Sequence, residues 1–202
     1  MKSEIIIIGG GMVGLSIAYQ LIERNISKNI VLIEKESNIG MHSSGRNSGV
    51  IHAGLYYKPN TLKAKVCVEG GNRLKNWMKE RKLPINQCGK VIVPTSKNLD
   101  SQLDILYERG KKNGARVEYL NNRQLQDLVP DSIAITNRAL WSPNTSVVNP
   151  KEVVFRLKEE LLKKGLKIFT AEKKWKIDPI NNELTLSDGV KIIYDYLFNA
   201  AG

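Results

Sequence analysis

Histidine and cysteine are scarce. The 202 residues hold two of each: His42 and His52, Cys67 and Cys88. The cysteines lie far apart and form no Cys-x-x-Cys pair. A metal centre or a disulfide framework therefore has little to be built from, and two reduced thiols are expected. Long apolar runs are missing too. No stretch approaches the ~18 uninterrupted apolar residues of a membrane-spanning helix. Nor does the amino-terminal run read as a secretion signal, because Ile5 to Ile8 leads straight into a glycine turn. The expectation is a cytoplasmic protein.

Acidic residues are outnumbered, with 20 Asp and Glu against 31 Lys and Arg and a formal net charge of +11. Such an excess suits a nucleic-acid or anionic-membrane surface, or a lysine-rich solvated surface that attracts an acidic substrate. The basic residues are scattered. Lys158, Lys163, Lys164 and Lys167, for example, are interleaved with Glu159 and Glu160. No RNA-binding aromatic motif is apparent. This favours a small anionic substrate over nucleic acid and leaves room for peripheral membrane contact.

What is present is concentrated in the first 34 residues. Glu4 to Ile8 is a short β-branched run of the kind buried on both faces of a sheet. Gly9-Gly10-Gly11-Met12-Val13-Gly14 follows at once, then Leu15, Ile17, Ala18, Leu21 and Ile22 at helical spacing. A second buried run, Ile30 to Ile33, ends in Glu34. Strand, glycine turn, helix, strand and acid within about 30 residues is the dinucleotide-binding fingerprint. Gly9 permits the turn, Gly11 lets backbone approach a pyrophosphate, and Gly14 lets helix pack closely on sheet. The helix amino terminus then offers N–H groups to the phosphates, and Glu34 is placed to accept from ribose hydroxyls.

The remaining pattern alternates helices and strands. Helices are predicted from Thr61 to about Arg81, with Leu62, Val66, Leu74 and Trp77 inward, and over Asn98–Lys112, with Leu99, Leu103, Leu106 and Tyr107 inward. Others are predicted over Asn122–Leu128 and from Pro150, with Val153, Val154, Leu157, Leu161 and Leu162 inward. Strands are expected at Val91–Val93, Val117–Leu120, within Ala134–Val148 and at Leu166–Phe169. Asp188-Gly189 marks a hairpin before the last strand, Tyr194–Phe198. That strand runs into Asn199-Ala200-Ala201-Gly202, small residues suited to a nucleotide site. A helix is expected next, so the chain reads as truncated.

Residues 42–57 form the densest polar loop. Gly45, Gly49 and Gly54 allow backbone close to a flat ring, and Ser43, Ser44, Asn47 and Ser48 offer hydroxyl and amide groups. Arg46 is a fixed cationic fork for a phosphate or carboxylate, or else an ion-pair partner for Glu34 or Glu36. His52 is a proton acceptor near neutral pH, or a structural loop histidine. Tyr56 and Tyr57 suit substrate contact or packing.

The stretch from His42 to Tyr57 closely resembles the flavin-contacting segment of L-2-hydroxyglutarate oxidases and dehydrogenases, members of the D-amino-acid-oxidase-like superfamily. Lys58–Ala64, Cys88-Gly89-Lys90 and Asn199–Gly202 are similar as well. The resemblance implies an α/β protein: a Rossmann-like FAD domain from residues 1–82 and 150–202, with part of an α+β substrate domain at 83–149. It implies FAD held by Gly9, Gly11, Gly14, Glu34, Ser43, Ser44, Arg46, Asn47, Ser48, Ala201 and Gly202. His52 would be the base, with Arg46 and Tyr57 near substrate. The implied reaction is oxidation of a 2-hydroxy acid, L-2-hydroxyglutarate first, with dioxygen or a quinone-type partner taking the electrons. An amine oxidase of the same superfamily, an inactive FAD- or nucleotide-binding fragment, and an NAD-only protein are the competing readings.

Overall fold

A computed structural model describes residues 1–202. The contacts divide the chain into two compact units, Met1–Asn47 with Asn149–Gly202, and Ser48–Val148.

The first unit is built on β1 (Lys2–Ile8), α1 (Met12–Glu23) and β2 (Ile30–Ile33). Ile5 to Ile8 and all four residues of β2 are buried, as parallel strands covered on both faces require. Later sequence adds α5 (Pro150–Lys163), β8 (Lys167–Phe169), β9 (Lys176–Asp178), β10 (Glu183–Thr185) and β11 (Lys191–Asn199). The six strands lie in the order β8-β2-β1-β11-β10-β9. The first four run parallel, and β9 to β11 form an antiparallel meander. β11 pairs with β10 only over Lys191–Ile193 and with β1 from Ile193 to Asn199. α1 buries Gly14, Leu15, Ala18 and Ile22, and α5 buries Val153, Val154, Leu157 and Leu161. Leu162, expected inward, is 44% exposed.

The second unit holds β3 (Val50–Ile51), α2 (Leu62–Glu80), β4 (Lys90–Ile92), α3 (Asp100–Lys112), β5 (Glu118–Leu120), α4 (Asn122–Leu128), β6 (Ala139–Ser142) and β7 (Ser146–Val147). β4, β6 and β5 form an antiparallel sheet, and β3 pairs with β7. Thr61 Oγ1 accepts from Ala64 N and caps α2. The α2 stripe is rotated from the expected one. Leu62 and Val66 are exposed, at 77% and 57%, while Ala64 and Met78 are buried. The small faces explain this, because Gly71 lies against Ile51 and the His52 carbonyl. The same packing places α2 within the compact unit Ser48–Val148. Leu99, expected inward on α3, is 40% exposed, because a 3-10 turn at Lys97–Leu99 precedes the helix. No helix is long and apolar enough to cross a membrane.

Candidate functional site

The glycine turn is shaped by contacts no side chain would tolerate. Gly9 has φ +109°, and a Cβ there would stand 2.2 Å from the Ala200 carbonyl oxygen. A Cβ on Gly14 would stand 2.0 Å from the Gly9 carbonyl oxygen, so α1 sits against the turn itself. At Gly11 the nearest atom to such a Cβ is the Ser44 hydroxyl, 3.0 Å away. Gly11 is thus the position where extra bulk enters the space before the helix. No side chain of Gly11, the residue preceding α1, caps its amino terminus. Met12 N donates instead to Ser44 Oγ at 2.9 Å.

Glu34 is buried at the end of β2. Its Oε2 accepts from Gly10 N at 2.8 Å and its Oε1 from Glu36 N at 2.9 Å. A buried carboxylate needs such donors, and each oxygen keeps acceptor capacity for a further one. The acid expected at a ribose therefore also ties the glycine turn to the chain after β2.

An open cleft of about 530 Å³ lies here, of the size of a small-molecule site. Its lining brings together Gly9, Gly11, Glu34, Ser43, Ser44, Ala201 and Gly202. Those residues come from four separate stretches of sequence, all in the first unit. Gly14 packs beneath the turn and does not line the cleft. His42, the first residue of the polar loop, also lines it, as do Lys35, Met41 and Trp175, which no sequence motif marked. Trp175 gave no signal because it lies in an aperiodic connection before β9.

Other expected residues are placed differently. Asn47 donates from its amide to the carbonyls of Ser43 and Ser44, both at 3.0 Å, and so braces the loop. Arg46 is exposed and pairs with neither Glu34 nor Glu36. Glu36 instead meets His42 at 3.0 Å, and that hydrogen bond holds its carboxyl pKa below the usual value. Ser48 is exposed and opens the second unit.

In the second unit, His52 and Tyr56 meet edge to face, with ring centres 5.8 Å apart. Lys90, the first residue of β4, lies 4.6 Å from the centre of the Tyr56 ring and donates to its hydroxyl. Arg109 of α3 donates to the Tyr56 carbonyl at 3.3 Å. Asn113 fastens the loop from below, donating to the carbonyls of Gly54 and Tyr57 at 2.8 and 2.9 Å. Lys63 lies 4.9 Å from the centre of the Tyr57 ring. Partial desolvation, followed by the charge of Lys90, lowers the pKa of His52 below 6.5. That shift favours the neutral ring, the form a proton acceptor needs.

Residues 4–202 match the family described as FAD dependent oxidoreductase. A mitochondrial L-2-hydroxyglutarate dehydrogenase from Caenorhabditis briggsae is 39% identical over 171 residues, 84% of this chain and 39% of that protein. An L-2-hydroxyglutarate dehydrogenase from Indibacter alkaliphilus is 37% identical over 182 residues, 90% of this chain and 45% of that one. Among solved structures, dithionite-reduced L-alpha-glycerophosphate oxidase from Mycoplasma pneumoniae, with FAD bound, superposes with a TM-score of 0.81. It is 21% identical, and the match covers 100% of this chain and 54% of that chain. The chain thus spans about two fifths of the length of these curated relatives.

Proposed function

Because the chain belongs to the FAD-dependent oxidoreductase family, we propose that it supplies the cofactor cleft and the base of an enzyme oxidising L-2-hydroxyglutarate to 2-oxoglutarate. The observation that carries this reading is the 39% identity to a dehydrogenase of that name over 171 residues.

The cleft fits FAD. The start of α1 has no side-chain cap from Gly11, and a Gly11 Cβ would meet only the Ser44 side chain. Gly9, Gly11 and the α1 amino terminus would hold the pyrophosphate, and Glu34 would accept from the ribose. Ser43, Ser44, Ala201 and Gly202 line the same cleft and would meet other parts of the group. Arg46, Asn47 and Ser48 are assigned to FAD on the resemblance of their segment. Arg46 is alternatively a carboxylate anchor, and Tyr57 a substrate contact. When bound, FAD supplies a two-electron acceptor for the α-hydrogen, which leaves as hydride.

The chain's own part is proton handling and positioning. His52, whose neutral form is favoured by its lowered pKa, would take the hydroxyl proton on an unprotonated ring nitrogen as the carbinol becomes a carbonyl. Asn113, holding two carbonyls of the 54–57 segment, keeps that loop in one geometry. Electron acceptance by dioxygen or a quinone, and a cytoplasmic location with peripheral membrane contact, belong to the same proposal. The +11 charge supports the membrane contact.

The test is anaerobic mixing of the FAD-loaded enzyme with L-2-hydroxyglutarate while the visible flavin band is followed. Bleaching by the L- and not the D-enantiomer is expected. A band that amino acids bleach and L-2-hydroxyglutarate does not would replace this reading with amine oxidation.

A further inference from the structure

Two basic side chains of the second unit, Lys90 and Arg109, converge on Tyr56. Most arginines of that unit have carboxylate partners: Arg73 meets Glu69, Arg81 meets Glu80, Arg116 meets Glu118, and Arg138 meets both Asp100 and Asp104. Lys90 and Arg109 do not. Both are half-buried, and both are spent on Tyr56, the ring hydroxyl for Lys90 and the backbone carbonyl for Arg109. Tyr56 is thus met by two cations, at its hydroxyl and at its backbone carbonyl, and by the imidazole of His52. No carboxylate of the chain neutralises these cations.

The half-buried Lys90 ammonium has the Tyr56 hydroxyl and ring face as partners, and a carboxylate would be a stronger one. Lys90 is also held in place. It starts β4, whose register with β6 is fixed by the Lys90–Ser142, Val91–Trp141 and Ile92–Leu140 pairs. A Cβ at the preceding Gly89, φ +69°, would stand 1.9 Å from the Trp141 ring. The strand therefore enters at one position only. A cation fixed on a strand, next to an imidazole and a phenol donor, is a receptor for a carboxylate.

We propose that Lys90, with Arg109 holding the backbone of the same tyrosine, binds a carboxylate of the substrate next to His52. This rests on the 2-hydroxy-acid reading above and adds to it the residue that recognises the acid. Lys90 then has two consequences for one substrate: it anchors the carboxylate and, after desolvation, its charge helps to lower the His52 pKa.

The test uses the FAD-loaded enzyme with Lys90→Met, which keeps the stem and removes the charge, and Lys90→Arg, which restores a cation. A charged hydrogen bond of this kind predicts a roughly 10- to 100-fold rise in KM for L-2-hydroxyglutarate in Lys90→Met, with kcat changed far less. Lys90→Arg should recover most of the affinity. Glutarate, a dicarboxylate with no hydroxyl to oxidise, provides a readout free of turnover. Its dissociation constant, read from the flavin spectrum, should rise by a similar factor. L-2-hydroxypentanoate distinguishes the two carboxylates. A loss shared by both hydroxy acids assigns Lys90 to the α-carboxylate, and a loss confined to the dicarboxylate assigns it to the distal one. Unchanged KM and unchanged glutarate binding in Lys90→Met overturn the inference. Thermal melts check folding, and Lys90→Gln replaces Lys90→Met if that variant melts early. If L-2-hydroxyglutarate fails to reduce the wild type, the activity is misread, while the glutarate titration still decides whether Lys90 receives a carboxylate.

Discussion

One methyl group at Gly14 separates two effects that usually oppose each other in helices. Alanine is the better helix former, by up to about 1 kcal/mol. At Gly14, however, the new Cβ would lie 2.0 Å from the Gly9 carbonyl oxygen and 3.2 Å from Ile7 Cγ2. Ordinary carbon–oxygen contacts are about 3.3 Å or longer, so α1 must retreat by roughly 1.3 Å. Gly9 cannot yield in its place, because its N–H is bonded to Ile33 O at 2.8 Å and Ala200 closes its other side. Overpacking of this kind costs about 1–3 kcal/mol, which outweighs the gain in propensity. Gly14→Ala should therefore lose about 1–2 kcal/mol in urea unfolding and should purify with less FAD, since the helix end moves from its seat. Gly70→Ala in α2 is the matched control, because nothing lies within 4 Å of its Cβ and only the propensity gain remains. It should be neutral or stabilising by up to about 1 kcal/mol, with full FAD. A Gly14→Ala protein as stable as wild type and fully yellow would refute the close-packing argument.

Further outcomes follow from the same contacts. Gly11→Val, whose side chain would enter the space beside Ser44, should leave the fold intact and yield largely apo-protein, measured as the flavin-to-protein absorbance ratio. His52→Ala should retain FAD but slow anaerobic flavin reduction by roughly 10²–10⁴-fold, as for a lost general base. In the wild type that rate should fall on the acid side with an apparent pKa below 6.5, because protonation removes the base. Lys90→Met should move this limb to higher pH, since imidazolium forms more easily without the neighbouring cation. Tyr119 donates to Asp104 at 2.7 Å, and desolvation together with that bond pushes its phenol up to about 12. Its neutral form is favoured by folding, so stability should be lost as pH rises from about 10 through 12, with phenolate absorbance as the check.

The elements easiest to read in the sequence were those whose burial is local. Ile5–Ile8 and Ile30–Ile33 are apolar without alternation because helices and meander cover both faces, and their pattern says so directly. Asn122–Leu128 was legible to the residue, since Asn121 and Gln124 form a reciprocal capping box. Leu62, Val66 and Leu162 misled because helical spacing gives a stripe but not its phase. Here small residues, Ala64 and Gly71, mark the packed side of α2. Strand β9 escaped because three residues, Lys176–Asp178, are too few to show alternation. The cleft was legible in its glycines and in Glu34. The bond from Met12 N to Ser44 spans 32 residues, and no periodicity reports such a contact. The convergence of Lys90 and Arg109 on Tyr56 was equally hidden, since it is a fact of space.

The pairing of β1 with β11 has a consequence for how this chain comes off the ribosome. Lys2 stands opposite Ile193 and Ile8 opposite Asn199. At about 5–20 residues per second, the first strand exists for roughly 10–40 s before its neighbour on that side is made. During that interval one edge of Ile5–Ile8 is open, and β2 likewise waits for β8, its partner at Lys167–Phe169. Apolar edges held open this long invite pairing with other chains, so the nascent protein should depend on chaperones more than its size suggests. Gly9 is made about 190 residues before the Ala200 backbone that closes against it, so the glycine turn is completed long after it is encoded.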